Sequence, residues 1–414
     1  GFAHKIKEDI INKNLLFLGT EMGLFASVDA GATWFRMKNN VPWYGLVRDI
    51  QIQTASNDLI LATHGRGIII VDDISPMRTL TPDIAKQDVY LFPQPDMLLR
   101  NGILGNASFP PQGGWVGGNA PDIAPIQYYL KDRVSTGDVK VDIYDKDGKL
   151  VKSLPGGKRK GLNKVFWDLR GQGPKTATSP TKPDQSGFVA PMVLPGTYTI
   201  KISVGSKEYS MPVNVVHDES NKDLTVQAQQ DLYNNAMKLF TLHETLAAII
   251  DKINATQKVL KDASEKAKDA KTKKAALDYW NKLDVFKSTL IPMKAKSIFA
   301  DERRLREEIT ETYISLSYKE SGPSNLELQS VQRLQQKVGD AVKKKDSLMN
   351  ELNAKLKTKL EKEGFNINAA APVHVNDAGM FGNAFLNKRN EEENDRPGIG
   401  NSIGLLLRRT LVLK

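Results

Sequence analysis

The chain has 414 residues, room for roughly two to four domains, and its 40% hydrophobic and 7% aromatic content is ordinary for a globular protein with buried cores. It contains no cysteine, which excludes disulfides, thiolate metal sites and a cysteine nucleophile. Lys+Arg 58 against Asp+Glu 48 gives a net charge of +10, no apolar run reaches the ~20 residues of a membrane helix, and GFAHKIKEDI does not read as a signal peptide.

Residues 1 to about 75 alternate short apolar-polar runs with turns: AHKIKED, LLFLGT, GLFASVD, TWFRM, VRDIQIQ, DLILATH and GIIIVDD. This predicts an all-β meander. A shift of 44 residues lays NKNLLFLGTEMGLFASVD on SNDLILATHGRGIIIVDD, placing Asn14 on Asp58, Leu15 on Leu59, Gly23 on Gly67 and Asp29 on Asp73. A period of about 40–45 residues with three or four strands per unit is that of a β-propeller blade. Residues 1–80 are therefore expected to be the last two blades of an incomplete propeller. Ser75-Pro76 interrupts the second blade before a fourth strand. Two blades leave long unpaired edges, so the expectation is a C-terminal part of a larger protein whose upstream portion supplies further blades.

Ser27-Val-Asp-Ala-Gly-Ala-Thr-Trp34 falls at the turn between the third and fourth strands. Asp29 is placed to accept backbone N–H groups, Gly31 to adopt a positive φ, and Trp34 to pack between sheets, so Ser27, Asp29, Gly31, Thr33 and Trp34 form a structural fastener. The turn resembles the Asp-box, or neuraminidase repeat, of sialidases and sortilin-type propellers, where the resemblance implies a place on the blade periphery. His64 and Arg66 lie in a glycine-flanked hairpin turn, THGRG, and are the candidate binding residues, suited to holding an anion. No catalytic constellation, metal set or cofactor motif is assignable: sialidase chemistry needs an arginine cluster and a Tyr–Glu pair.

Residues 81–123 read as linker or loop, ending in the Gly/Pro-rich NGILGNASFPPQGGWVGGNAPDIAP. Residues 124–218 carry five to seven alternating strands, with Asp147-Gly148 at a hairpin and Pro195-Gly196 before a strand. They predict an immunoglobulin- or fibronectin-like β-sandwich with Trp167 and Tyr198 in its core. Within it GQGPKTATSPTKPDQSGFVAP is expected to be an exposed, mobile loop.

Over residues 222–364 the period changes to 3.6. Leu232, Ala236, Leu239, His243, Leu246, Ile250, Ile253, Gln257 and Leu260 form one stripe, with His243 read as a core histidine. Ala276, Trp280, Leu283 and Leu290 mark a second helix, DERRLREEITETYISLSYKE a third, and Ser324 to Glu327 caps a fourth whose stripe runs Val331, Leu334, Val338, Ala341, Leu348, Leu352, Leu356. This predicts an antiparallel bundle or hairpin pair. Its lysines are interleaved with acids and poor in aromatics, which argues for a solvated face and against nucleic acid. Residues 365–414 are a weakly patterned tail.

In order, GTEMGLFASVDAGATW, LILATHGRGIIIVDD, GLNKVFWDLRG, VLPGTYTIKISVG and SGPSNLELQSVQRLQQKV resemble the C-terminal part of large bacterial secreted proteins related to sortilin-type propellers, often called glycosyl-hydrolase-like. The resemblance implies an extracytoplasmic protein, secreted, periplasmic or on the outer surface, with a propeller, a sandwich and helices. The expected role is non-catalytic: a binding or scaffold region for a protein or glycan partner. The alternatives are the end of a glycoside hydrolase with its active site upstream and an accessory subunit of a cell-envelope assembly.

Overall fold

The structure, a computed structural model, describes residues 1–38, 41, 45–54, 56–99, 123–184, 186–219, 221–294 and 302–367. It is a mixed β and α chain with four sheets followed by helices.

The first sheet runs in the order β1 (Ala3–Glu8), β2 (Leu16–Thr20), β3 (Gly23–Ser27), β4 (Phe35–Arg36), and the second in the order β5 (Leu46–Gln53), β6 (Asp58–His64), β7 (Ile68–Val71). All neighbours are antiparallel, as expected of a meander. Period-two alternation gives each strand one apolar face, and Phe17, Leu24 and Ala26 of the first sheet share a core with Val47, Ile50, Leu59 and Leu61 of the second. At Gly19 the sheets come close together: a β-carbon there would lie 2.9 Å from the Val47 carbonyl oxygen, so no side chain fits. They do not close a ring among the described residues.

After β7 the chain turns away. Asp73 adopts φ 52°, its carboxylate receives the Ser75 amide, and Pro76 sits in the first turn of α1 (Ser75–Thr79). Arg78 then forks onto Asp9, with Nε and Nη2 donating at 2.9 Å to its two oxygens. The Asp9 side chain is fully buried. This ion pair ties the β1–β2 connection to the end of the second sheet.

Residues 81–123, expected as linker, instead supply two strands. β8 (Val89–Leu91) pairs with β10 (Ala124–Leu130), and β9 (Met97–Leu99) pairs in parallel with β15 (Lys207–His217). Both are only three residues long, too short for alternation to register as a period. The Gly/Pro-rich stretch over 100–122 lies outside the described residues. One sheet has the order β13 (Gly161–Trp167), β10, β8, and the other β12 (Leu150–Pro155), β11 (Val139–Tyr144), β14 (Gly196–Val204), β15, β9. Ile126, Tyr128 and Val165 from the first meet Val141, Ile143, Ile200 and Val213 from the second in one core. Trp167 is fully buried, packed edge-on to Tyr198 at 5.6 Å, and its indole N–H donates to the Arg170 carbonyl.

The segment between Arg170 and Met192, expected to be exposed and mobile, is a docked strap. Ala177, Ser186, Val189 and Ala190 are buried, Ala177 and Val189 in the core of the helical region. Composition misled here because the strap's polar groups are satisfied by helices far along the chain. Lys175 pairs with Asp251 at 2.6 Å, Ser179 donates to the Pro292 carbonyl, and Tyr313 donates to that of Val189. Its legs cross at Gly173, where a β-carbon would meet the Gly187 oxygen at 2.1 Å.

The helices are α2 (Val226–Lys266), α3 (Ala270–Leu290), α4 (Leu305–Ser317) and α5 (Asn325–Leu352), which a π turn (Asn353–Lys357) carries into α6 (Thr358–Lys362). Thr225, Asp269 and Ser324 cap α2, α3 and α5, the last in a capping box with Glu327. Every residue of the predicted α2 stripe is buried. Trp280 of α3 is only half-buried against the shared core. Of the third predicted helix, residues 302–304 precede α4 and 301 lies outside the described residues, as does the tail from 368.

Candidate functional site

The sequence-predicted site residues fall at two turns. At the first, Ser27 Oγ donates to Asp29 Oδ1 at 2.7 Å and accepts the Gly31 amide at 2.8 Å. The Thr33 amide donates to Asp29 Oδ1 at 2.8 Å and its hydroxyl to Oδ2. The Thr33 bonds, with that from Ser27, hold the Asp29 carboxyl below the usual aspartate range. Gly31 has φ 90°. Trp34 does not pack between sheets: it is 37% exposed and lies over its own turn, where a Gly31 β-carbon would touch its ring at 3.6 Å. These bonds from Ser27 and Thr33 let Asp29 hold the β3–β4 connection.

The second turn joins β6 to β7. Gly65 and Gly67 have φ 80° and 71°, and the Thr63 amide and hydroxyl both donate to the Gly67 carbonyl. His64 and Arg66 project from it and are exposed. The two turns are not brought together into one site. An exposed imidazole and guanidinium beside open glycine amides can pair with an anionic group.

Sequence reasoning missed two features. Asp73, the repeat mate of Asp29, receives Gln127 Nε2 of β10 at 2.5 Å, so the same position that fastens a turn in the first sheet couples the second sheet to the next sheets along the chain. The 44-residue superposition contained that signal. The other is apolar surface. On the side of the first sheet facing away from the shared core, Ile6, Leu18 and Phe25 form a row across β1, β2 and β3. On the far side of the second, Ile60 opposes Ile70 and Ala62 opposes Ile68. Ile6, Ile68 and Ile70 are 57%, 73% and 54% exposed.

No family model matches this chain, and no curated protein matches it. A solved structure does. The chain is similar to PorZ, described as an essential bacterial surface component of the type-IX secretion system of Porphyromonas gingivalis, at 15% identity and a TM-score of 0.17. The match covers 52% of this chain and 30% of that one, so the chain spans under a third of the length of that protein. A likeness this shallow carries no argument about fold or role. Among the described residues no helix is long and apolar enough to cross a membrane, and no three His, Asp or Glu side chains converge to hold a metal ion.

Proposed function

We propose that the chain is a non-catalytic binding or scaffold region of an extracytoplasmic, sortilin-related propeller protein. In this reading the two N-terminal sheets are terminal blades, Ser27–Trp34 is an Asp-box that fastens the first of them, the two sheets around Trp167 are an immunoglobulin-like spacer, and the helices brace it. A protein or glycan partner would be met on the propeller side, with His64 and Arg66 the polar contacts within this chain. The observation that supports the reading is that, among the described residues, both outer faces of the sheet pair carry exposed apolar side chains, Ile6 on one side and Ile68 and Ile70 on the other. Sheets with two apolar faces belong in a stack, and within this chain each such face that is covered is covered by the sheet of the neighbouring repeat.

The absence of cysteine supplies the experiment, since Ile70→Cys creates a unique thiol in this chain. In the 414-residue chain expressed alone the thiol should react with maleimide as fast as a surface cysteine. In the same variant isolated in its natural assembly it should be protected. Equal reactivity in both preparations would sink the propeller reading and leave the sheet pair as a small domain in its own right.

A further inference from the structure

The strap meets α2 and α4 around four ionisable side chains. Asp184 of the strap is 2% exposed, and its Oδ1 accepts the Ser186 amide at 2.9 Å, the Ser186 hydroxyl at 2.7 Å and the Thr310 hydroxyl at 3.1 Å. Arg306 of α4 donates Nη1 to the Ala177 carbonyl at 3.0 Å and Nη2 to that of Lys182 at 2.9 Å, while Nε and Nη2 grip Glu307 Oε1. Against this saturated network stand two orphans. Asp184 Oδ2 and both ring nitrogens of His243 are buried without a hydrogen-bond partner. His243 Nδ1 lies 3.8 Å from Asp184 Oδ2, too long for a hydrogen bond, and the ring sits edge-on to Tyr313 at 5.4 Å.

We propose that this contact is an acid-releasable joint: protonation of His243 loosens the strap from α2 and α4 and so uncouples the sheets around Trp167 from the helices. A fully enclosed imidazole with no partner is tolerated only while neutral. A proton added to it would have the Asp184 carboxylate on one side and the Arg306 guanidinium nearby, in a site closed off from bulk solvent. Undocking the strap opens the ring to solvent, where the proton costs nothing extra.

Burial depresses His243 from the ordinary 6.5 to about 4, with Asp184 pulling it up and Arg306 pushing it down. The docked form therefore binds the proton less readily than the open form, so docking is at full strength above about pH 6.5 and weakens as pH falls towards 4. Glu307 works in the opposite sense: burial raises its carboxyl above the usual range despite Arg306, so its own contribution favours docking on acidification. Of the other charged groups on the packed elements, Asp251 of α2 pairs with Lys175, Asp284 and Lys287 of α3 bond Gln257, and Arg333 and Lys337 of α5 pair with Glu308. Glu244 of α2 faces Tyr313.

Hydrogen–deuterium exchange of the full chain, corrected for intrinsic rates, tests the joint. With His243 alone setting the linkage, opening of peptides over 171–195 should rise about 20-fold between pH 7 and pH 5, while β11 and β14 stay protected. His243→Leu should abolish most of that rise, and His243→Gln, which keeps a polar but non-titrating side chain, should do the same if the leucine variant fails to fold. The proposal is overturned if the strap shows no rise in the wild type, if either folded variant keeps the wild-type rise, or if β11 and β14 open in step with the strap, which is global unfolding.

Discussion

In the first 71 residues Phe2, Ile6, Ile10, Ile11, Met22, Phe35, Ile68 and Ile70 are exposed, whereas over α2–α6 the large apolar side chains at the surface are Val226, Leu277, Val285 and Leu326. Both regions follow their hydrophobic period faithfully. The difference is geometric. A helix presents one stripe, and α2, α3, α4 and α5 spend theirs on one another in a single core. A sheet in a stack presents two faces, and among the described residues each N-terminal sheet buries one against the other. Faithful local patterning therefore buries the helical stripes and leaves apolar side chains of the sheet pair exposed.

The sharpest way to break that comparison is in the region that looks complete. Arg306→Ala leaves Glu307 buried without its cation and frees the Ala177 and Lys182 carbonyls, and should cost about 3–5 kcal/mol in denaturant titrations. Replacing both partners, as Arg306→Met with Glu307→Leu, should recover much of that loss. In the sheet pair the corresponding change, Arg78→Ala, should cost about 2–3 kcal/mol, less because the Ile11 and Asn12 amides still serve Asp9. Burial raises the Asp9 carboxyl, but the Arg78 bond and those two amides outweigh it and hold the group below the usual 3.8. Its stabilisation is therefore present above that value and lost as pH falls below it, and Arg78→Ala should flatten the acid limb of a stability–pH curve without changing its shape near neutrality. The smallest effect is expected on the open faces. Ile68→Lys with Ile70→Lys should shift the stability of the isolated chain by within about 0.5 kcal/mol while lowering its binding of the hydrophobic dye ANS. A large loss of stability would mean that these side chains are already covered.

The repeat, the strands of the sheet pair, the α2 stripe, the Ser324 cap and the Trp167–Tyr198 pair were all legible because each rests on short-range periodicity or local capping chemistry. β8 and β9 were not, since three residues cannot display a period. The strap was misread for a related reason: Gly, Pro, Ser, Thr and Lys mark mobility only when their polar groups meet water, and here they meet Pro292, Arg306 and Tyr313. Of the site residues, Asp29 accepts the Thr33 amide as its turn position implies, with hydroxyl bonds from Ser27 and Thr33 that were not foreseen, and Trp34 points outward instead of between sheets. His64 and Arg66 emerge as exposed side chains of the β6–β7 turn.

The strap also orders events in time. Its acceptors at Ala177, Lys182 and Val189 wait on donors at Arg306 and Tyr313, and Arg170 waits on the Ser317 carbonyl, so the pairs are separated by 124 to 147 positions. Contacts that distant form late, after loop closure has been overcome. During synthesis the sheets around Trp167 leave the ribosome before the strap's helical partners exist, and they settle only once α4 has followed. The sheet region is thus a late partner in its own assembly, and truncation before residue 305 should yield a chain that collapses but does not lock.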